Sequence, residues 1–309
     1  MGVMNAVAVP VAADPVEAVS RLAVDGLSSA HSRRAYRKAL ADFLAWSRSN
    51  AAAGLSKAVV QAYRSELERR GLAPSTINVR LSAIRKLALE AADNGFLDPA
   101  AAAAIARVGG MRRAGVRLGN WLSREQAEGL LALPARDTLK GKRDRALLAV
   151  LLGAGLRRTE AAELAFEHIQ ERDGRWVVAD LVGKGRRLRT VPIPAWAKAA
   201  LDDWRQAAGL DGGPVFRRVN KGGRPAVERL SAQAVFNIVK GYAAKLGVPL
   251  APHDLRRTFA KLAHRGRAPL EQIQLSLGHA SIVTTERYLG VRQDLEDAPC
   301  DRLGIRAPR

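Results

Sequence analysis

Apolar residues recur at three- and four-residue spacing through most of the first hundred positions, the pattern of helices with one buried face. Ser32 is placed to cap a helix in which Tyr36, Leu40, Phe43 and Leu44 share one side. Arg33, Arg34, Arg37 and Lys38 turn largely away from that side. Pro74-Ser75-Thr76 starts another helix, with Ile77, Leu81, Ile84 and Leu87 spaced for burial. Arg80, Arg85 and Lys86 are its basic positions, and Gly95 ends it. The pattern breaks over 109–120, a glycine-rich stretch with three arginines and no apolar period, which predicts a linker.

Beyond the linker the signal is mixed. Ser123 opens a helix, and Arg143 to Leu152 forms a strongly apolar second one. Arg175 to Ala179 reads as a strand, and Leu181-Val182 leads through Gly183-Lys184-Gly185 to Leu188–Pro192 as a hairpin. Pro194 starts a helix carrying Trp196, Leu201 and Trp204, and four further helices follow over 231–246, 253–263, 270–277 and 281–289. The expected architecture is mainly α. A helical bundle spans 16–108, and a mostly helical α/β domain with one small antiparallel sheet spans 121–290. A disordered leader (1–15) and a C-terminal tail (291–309) flank them.

Charge narrows the partners. The 309 residues carry 50 Lys and Arg against 30 Asp and Glu, a formal +20 spread along the whole chain. A polyphosphate backbone is the commonest neutraliser of such an excess, and a solvated basic surface is the plainer reading. Two helices with one apolar and one basic face suggest a bundle that lays cations on DNA; for either helix alone a solvated face explains as much. The single cysteine, Cys300, excludes an intrachain disulfide and a cysteine-based metal site, and suits a reducing cytoplasm. The apolar N-terminus lacks a basic start, contains Pro10 and is too short to span a membrane.

The candidate chemistry lies in the second half. In Gly155-Leu156-Arg157-Arg158-Thr159-Glu160, glycine lets the chain turn closely, and Glu160 follows Arg157 by three residues. On a helix that spacing lets the carboxylate hold the guanidinium as a fork for two phosphate oxygens. Taken alone it is also an ordinary surface ion pair. Lys184 sits between glycines at the expected hairpin tip, free to reach a nucleic acid, although Gly-Lys-Gly is a common turn and not a Walker loop. His-x-x-Arg occurs at His31/Arg34, His253/Arg256 and His264/Arg267, so the motif by itself discriminates nothing. His168 and His264 read as structural histidines, and Tyr36, Tyr63 and Tyr242 as packing. What distinguishes the second copy is its sequel: Leu-Gly-His279 and then Tyr288, nine residues later.

Arg157 in Gly-Leu-Arg-x-x-Glu, Lys184 on a hairpin, His253-x-x-Arg256, Leu-Gly-His279 and Tyr288 together resemble the tyrosine recombinase (phage integrase) family, in its two-domain, Xer-like form. The resemblance runs from about Ser32 to Leu289. It implies a catalytic set of Arg157, Lys184, His253, Arg256, His279 and the nucleophile Tyr288, with Glu160 behind it. It further implies site-specific recombination or integration of double-stranded DNA through a 3′-phosphotyrosyl intermediate, without metal, ATP or other cofactor. The expected assembly is a homotetramer on two DNA sites, with accessory DNA-bending proteins or a partner recombinase. Arg33, Arg34, Arg37, Lys38, Arg80, Arg85 and Lys86 are the candidate DNA contacts of the first domain. Arg158 stands where many members have an apolar residue, and Arg257 where a second histidine is frequent. A type IB topoisomerase-like nicking and resealing enzyme, or a non-catalytic DNA-binding regulator, would fit the same fold. Acidic residues show no clustered spacing of the kind a metal-dependent nuclease or transposase needs.

Overall fold

A computed structural model describes residues 15–50, 54–112, 120–182 and 188–290. The chain divides into two compact units, Met1–Val116 and Arg117–Arg309.

The first unit is a bundle of α1 (Pro15–Asp25), α2 (Ala30–Ser49), α3 (Lys57–Arg69), α4 (Pro74–Asp93) and α5 (Pro99–Ala106). The expected apolar face of α2 is present: Leu40 and Phe43 are buried, and Tyr36 and Leu44 are half-buried. Its cap is Ser29, three residues before the expected Ser32, and the Ser29 hydroxyl accepts the Ser32 N–H. Helix α4 is the central element, with Ile77, Leu81, Ile84 and Leu87 all buried. Burial of each such side chain stabilises by about 1.5–3 kcal/mol, which decides the helix despite its unfavourable β-branched residues. Of the expected leader, 1–14 lie outside the described residues, and Pro15 already belongs to α1. The described start of the linker is tied down: Asn78 of α4 accepts the Met111 N–H at 2.7 Å and donates to the Met111 carbonyl at 3.0 Å. Residues 113–119 lie outside the described set.

The second unit opens with α6 (Arg124–Ala132), capped by Ser123 as expected, and α7 (Leu139–Gly153), which starts four residues before the expected Arg143 under a Thr138 cap. The short α8 (Arg158–Glu163) leads to a three-stranded antiparallel sheet of β1 (Ile169–Arg172), β2 (Arg175–Val182) and β3 (Leu188–Pro192). Helix α9 (Ala195–Ala208) packs back on α7, and Trp204, fully buried, donates its indole N–H to the Val215 carbonyl at 2.8 Å. A second sheet follows that the sequence pattern did not reveal, the two-stranded ribbon of β4 (Arg217–Val219) and β5 (Pro225–Arg229). Then come α10 (Ala232–Lys245), α11 (Pro252–Arg265), α12 (Leu270–Leu277) and α13 (Ile282–Leu289). Helices α11 to α13 share a small core of Ala260, Ile273, Leu277 and Leu289, which fixes the last helix on the domain. The tail 291–309, including Cys300, lies outside the described residues. No helix among the described residues is long and apolar enough to cross a membrane.

Candidate active site

The site is assembled where three element ends meet: the turn from α7 into α8, the first turns of α11, and the α12–α13 corner. Gly155 makes the first turn possible. It sits at φ +58°, and a Cβ there would lie 2.7 Å from the Phe259 ring of α11. The turn therefore brings the Gly155 carbonyl against α11, where Arg256 donates to it at 2.6 Å. Arg256 also donates to the Leu277 carbonyl at the end of α12 and is 1 % exposed. One guanidinium thus pins all three element ends together. Burial, and then the charge of Arg157, push its pKa down to about 9, which leaves it protonated at neutral pH.

Arg157 stands at the N-cap of α8, half-buried. Its Nη1 donates to Glu160 Oε1 at 2.7 Å, the pairing the three-residue spacing suggested. Glu160 also accepts the Arg157 backbone N–H, at 2.7 Å. The other partner of Glu160 is Arg189 of β3, which sequence reasoning missed because nothing separates it from its basic neighbours Arg186 and Arg187. Burial alone would raise the Glu160 pKa; the hydrogen bonds from Arg189 and the Arg157 N–H, with the Arg189 charge, outweigh it and bring the carboxyl to about 2.

His253 lies in the first turn of α11, open to solvent on one side while its ring packs on Tyr288 with the two planes at 76°. The desolvation that packing brings, then Arg256 and Arg257, lower its pKa. His279 follows the left-handed Gly278 that ends α12. Burial first, and then Arg256 and Arg157, push it down to about 4, so it is neutral at pH 7. Its Nδ1 lies 2.9 Å from Thr285 Oγ1, a second residue the sequence reading did not pick out.

Tyr288 stands between the two imidazoles, its ring centroid 5.6 Å from His253 and 5.4 Å from His279, edge-on to both. Its hydroxyl donates to the His253 carbonyl at 3.4 Å, and the Arg257 guanidinium lies 5.0 Å over its ring. Burial raises the phenol's pKa, while Arg256 and Arg257 oppose the rise. Five of the six expected catalytic residues are therefore in one neighbourhood. Lys184 belongs to 183–187, outside the described residues; Val182 and Leu188 on either side are paired across β2 and β3.

Of the other histidines and tyrosines, His168, Tyr63 and Tyr242 have structural places, whereas His264, expected to be structural, does not. His168 Nδ1 accepts the Ala165 N–H at 3.2 Å, and His264 is exposed. Tyr63 is buried and Tyr242 donates to Asp144 at 3.0 Å. The basic candidates of the first unit divide into two groups. Arg34, Arg37 and Lys38 are exposed. Arg33 donates to the Leu27 carbonyl at 3.1 Å, Arg80 holds Tyr63 at 2.8 Å and Asp42 at 2.7 Å, Arg85 holds the Val108 carbonyl, and Lys86 pairs with Glu90 at 2.8 Å.

Two guanidinium groups, two imidazoles and a phenol thus meet on one scaffold, and the mostly helical fold is that of the tyrosine recombinases. The chain belongs to the phage integrase family: residues 120–294 match the phage integrase family itself and residues 19–95 its N-terminal SAM-like domain. Among curated relatives it is 33 % identical over 271 residues to the tyrosine recombinase XerC of Xylella fastidiosa (strain M23), covering 85 % of this chain and 86 % of that protein. The XerH site-specific recombinase, crystallised with its difH substrate before cleavage, superposes with a TM-score of 0.66 at 20 % identity, over 91 % of this chain and 81 % of that one. A lambda integrase dimer bound to a COC′ core site superposes with a TM-score of 0.66 at 15 % identity, over 90 % and 78 % of the two chains. The function that follows from family and relatives is site-specific DNA recombination, and neither relaxation of supercoils nor passive regulation is favoured.

Proposed function

We propose that this recombinase cuts and rejoins duplex DNA through Tyr288, with Arg157, Lys184, His253, Arg256 and His279 as the other groups that act on the scissile phosphate. The observation that carries the reading is the position of Tyr288, edge-on between His253 and His279. Phosphoryl transfer spreads charge over the equatorial oxygens, so catalysis is mostly positioning and electrostatics. Arg157 and Arg256 supply the fixed positive charge. The Tyr288 oxygen attacks in line, the P–O5′ bond breaks, and a 3′-phosphotyrosyl link remains.

The proton flow follows from the environments. Burial keeps the phenol protonated until attack, so it needs an acceptor, and the lowered pKa of His253 keeps an imidazole ready to take that proton. Lys184 gives a proton to the leaving 5′ oxygen, and neutral His279 donates a hydrogen bond to a non-bridging oxygen. A 5′ hydroxyl from a second duplex reverses the attack. The enzyme then works in the cytoplasm as a homotetramer on two DNA sites, with a partner recombinase or DNA-bending proteins where the site requires them. Residues 16–108 form the core-binding domain and 121–290 the catalytic domain in this reading, and Arg34, Arg37 and Lys38 meet the DNA backbone.

The test is covalent trapping on nicked duplexes built from the DNA flanking the gene. Wild type should leave a protein–DNA adduct on a denaturing gel, and Tyr288→Phe should bind the same duplexes without one. An adduct formed equally by Tyr288→Phe would remove Tyr288 from the mechanism.

A further inference from the structure

His279 can offer a phosphate either a donor or an acceptor, depending on which ring nitrogen carries its proton. At about 4, its pKa leaves the ring neutral at working pH, so one nitrogen is bare. The group placed to make that choice is Thr285. This threonine is 0 % exposed, and among the described residues the one hydrogen bond of its hydroxyl is the 2.9 Å contact with His279 Nδ1.

Two arrangements satisfy that distance. If Nδ1–H donated to the threonine oxygen, the threonine O–H would be left buried with no acceptor, at a cost of about 1–3 kcal/mol. If the O–H donates to a bare Nδ1, both groups are satisfied. The second arrangement puts the ring proton on Nε2, which makes no other hydrogen bond among the described residues. Thr258 of α11 is a useful contrast. Its hydroxyl donates to the Asp254 carbonyl one turn back at 2.8 Å and accepts the Leu122 N–H at 2.9 Å, the usual occupation of a buried helical threonine. Thr285 is turned instead toward the imidazole, and it sits on the same helix as Tyr288, three residues before it.

We propose that Thr285 is a positioning residue that donates its hydroxyl proton to His279 Nδ1, fixes the Nε2–H tautomer and so makes His279 a hydrogen-bond donor to the scissile phosphate. The inference deepens the reading of His279 given above and rests on it for the phosphate. Because Thr285 and Tyr288 share a helix, the contact also ties the His279 ring to the body that carries the nucleophile.

The experiment uses the full chain labelled with 15N-histidine, with long-range 1H–15N spectra at pH 7 and His279→Gln to assign the ring. Single-turnover cleavage of a nicked duplex is measured in parallel. Wild type should show Nε2–H at His279, and Thr285→Val, nearly isosteric, should admit the Nδ1–H form. Losing a firmly aimed donor should slow cleavage by about ten- to a hundredfold at unchanged DNA affinity, and Thr285→Ser should restore tautomer and rate. Wild type with Nδ1–H overturns the proposal. So does a Thr285→Val protein that keeps the wild-type tautomer, or one that changes tautomer yet cleaves at the wild-type rate. Wild type that shows Nε2–H yet leaves no adduct would remove the phosphate role together with the reading above, while the threonine–imidazole contact would stand.

Discussion

Arg189 and Glu160 meet as two parallel forks, Nη1 to Oε1 at 2.9 Å and Nη2 to Oε2 at 2.8 Å, with both side chains under a tenth exposed. The same Arg189 donates Nε to the Ser276 carbonyl at 3.0 Å. It thereby joins β3, just past the segment that holds Lys184, to the end of α12 that presents His279, and to the carboxylate that orients Arg157. Arg189 thus connects the elements that carry two of the proposed catalytic residues, Arg157 and His279.

Breaking that pair from one side should be costly. Arg189→Met leaves Glu160 buried with only Arg157 to meet it, and loss of one partner of a buried pair costs on the order of 3–5 kcal/mol. Urea unfolding should show a drop of that size. The double variant Arg189→Met/Glu160→Leu should regain part of it, because neither charge is then stranded. Cleavage should be low in the single variant, which loses the link from β3 to the end of α12, and no higher in the double variant, where Arg157 has also lost its carboxylate brace. Recovery of stability without recovery of rate is the expected signature.

Acid should destabilise the second unit in two successive windows. For His279 the folded pKa, about 4, lies below the ordinary 6.5, so the unfolded state binds a proton first and stability falls as pH drops from 6.5 towards 4. For Glu160 the folded pKa, about 2, lies below the ordinary 4.5; its contribution is complete above 4.5 and is lost as pH falls towards 2. The second loss amounts to about 3 kcal/mol. Unfolding midpoints should hold from pH 7.5 to about 6.5 and decline from there to pH 3. Glu160→Gln should flatten only the part below 4.5, and His279→Gln only the part above 4.

These pairings mark where sequence legibility ends. The helices with long apolar stripes, such as α4 and α11, could be read because burial of a face imposes a period on the chain. The candidate site could be read because Arg157, His253, Arg256, His279 and Tyr288 stand in an order and at intervals that resemble those of a known family; helical period alone does not single them out. Short polar strands carried no such period. β1 is Ile-Gln-Glu-Arg, and its one clear signal was the Asp173-Gly174 turn, where both residues have positive φ (51° and 70°). Ser29 and not Ser32 is the cap, because α2 begins at Ala30, and two serines three residues apart offer the same local signal. Arg189 and Thr285 act through partners 29 and 6 residues away, and only the folded chain makes them neighbours of the site.

Gly155 should tolerate no side chain. At φ +58° an alanine carries backbone strain of about 1 kcal/mol, and its Cβ must also displace the Phe259 ring from 2.7 Å. The displaced turn carries the carbonyl that accepts from Arg256. Gly155→Ala should therefore lower thermal stability and slow adduct formation at least about tenfold, since a guanidinium moved off its geometry forfeits part of its transition-state stabilisation. Gly174→Ala is the control, because Gly174 also has positive φ (+70°) but meets nothing within 4 Å. It should show the backbone strain alone, with the adduct rate near wild type.

The two groups of basic residues in the first unit should respond differently to removal. Arg34, Arg37 and Lys38 are exposed on α2, so their replacement by alanine should leave folding nearly unchanged. If each neutralises one phosphate, the triple variant should weaken DNA binding on all sequences and reduce the slope of log affinity against log salt by roughly 2.7, at about 0.9 per contact. Arg80 and Arg85 are committed within the unit, to Tyr63 and Asp42 and to the Val108 carbonyl. Arg80→Ala should strip a buried phenol and a half-buried carboxylate of their partner and lower stability by about 1–3 kcal/mol, while the salt slope measured on the folded protein stays at the wild-type value. Titrations at several salt concentrations, paired with unfolding curves, separate the groups: one set of variants should move only the slope and the other only the midpoint. An Arg80→Ala protein that is fully stable and has a reduced slope would place Arg80 on the DNA and not in the bundle.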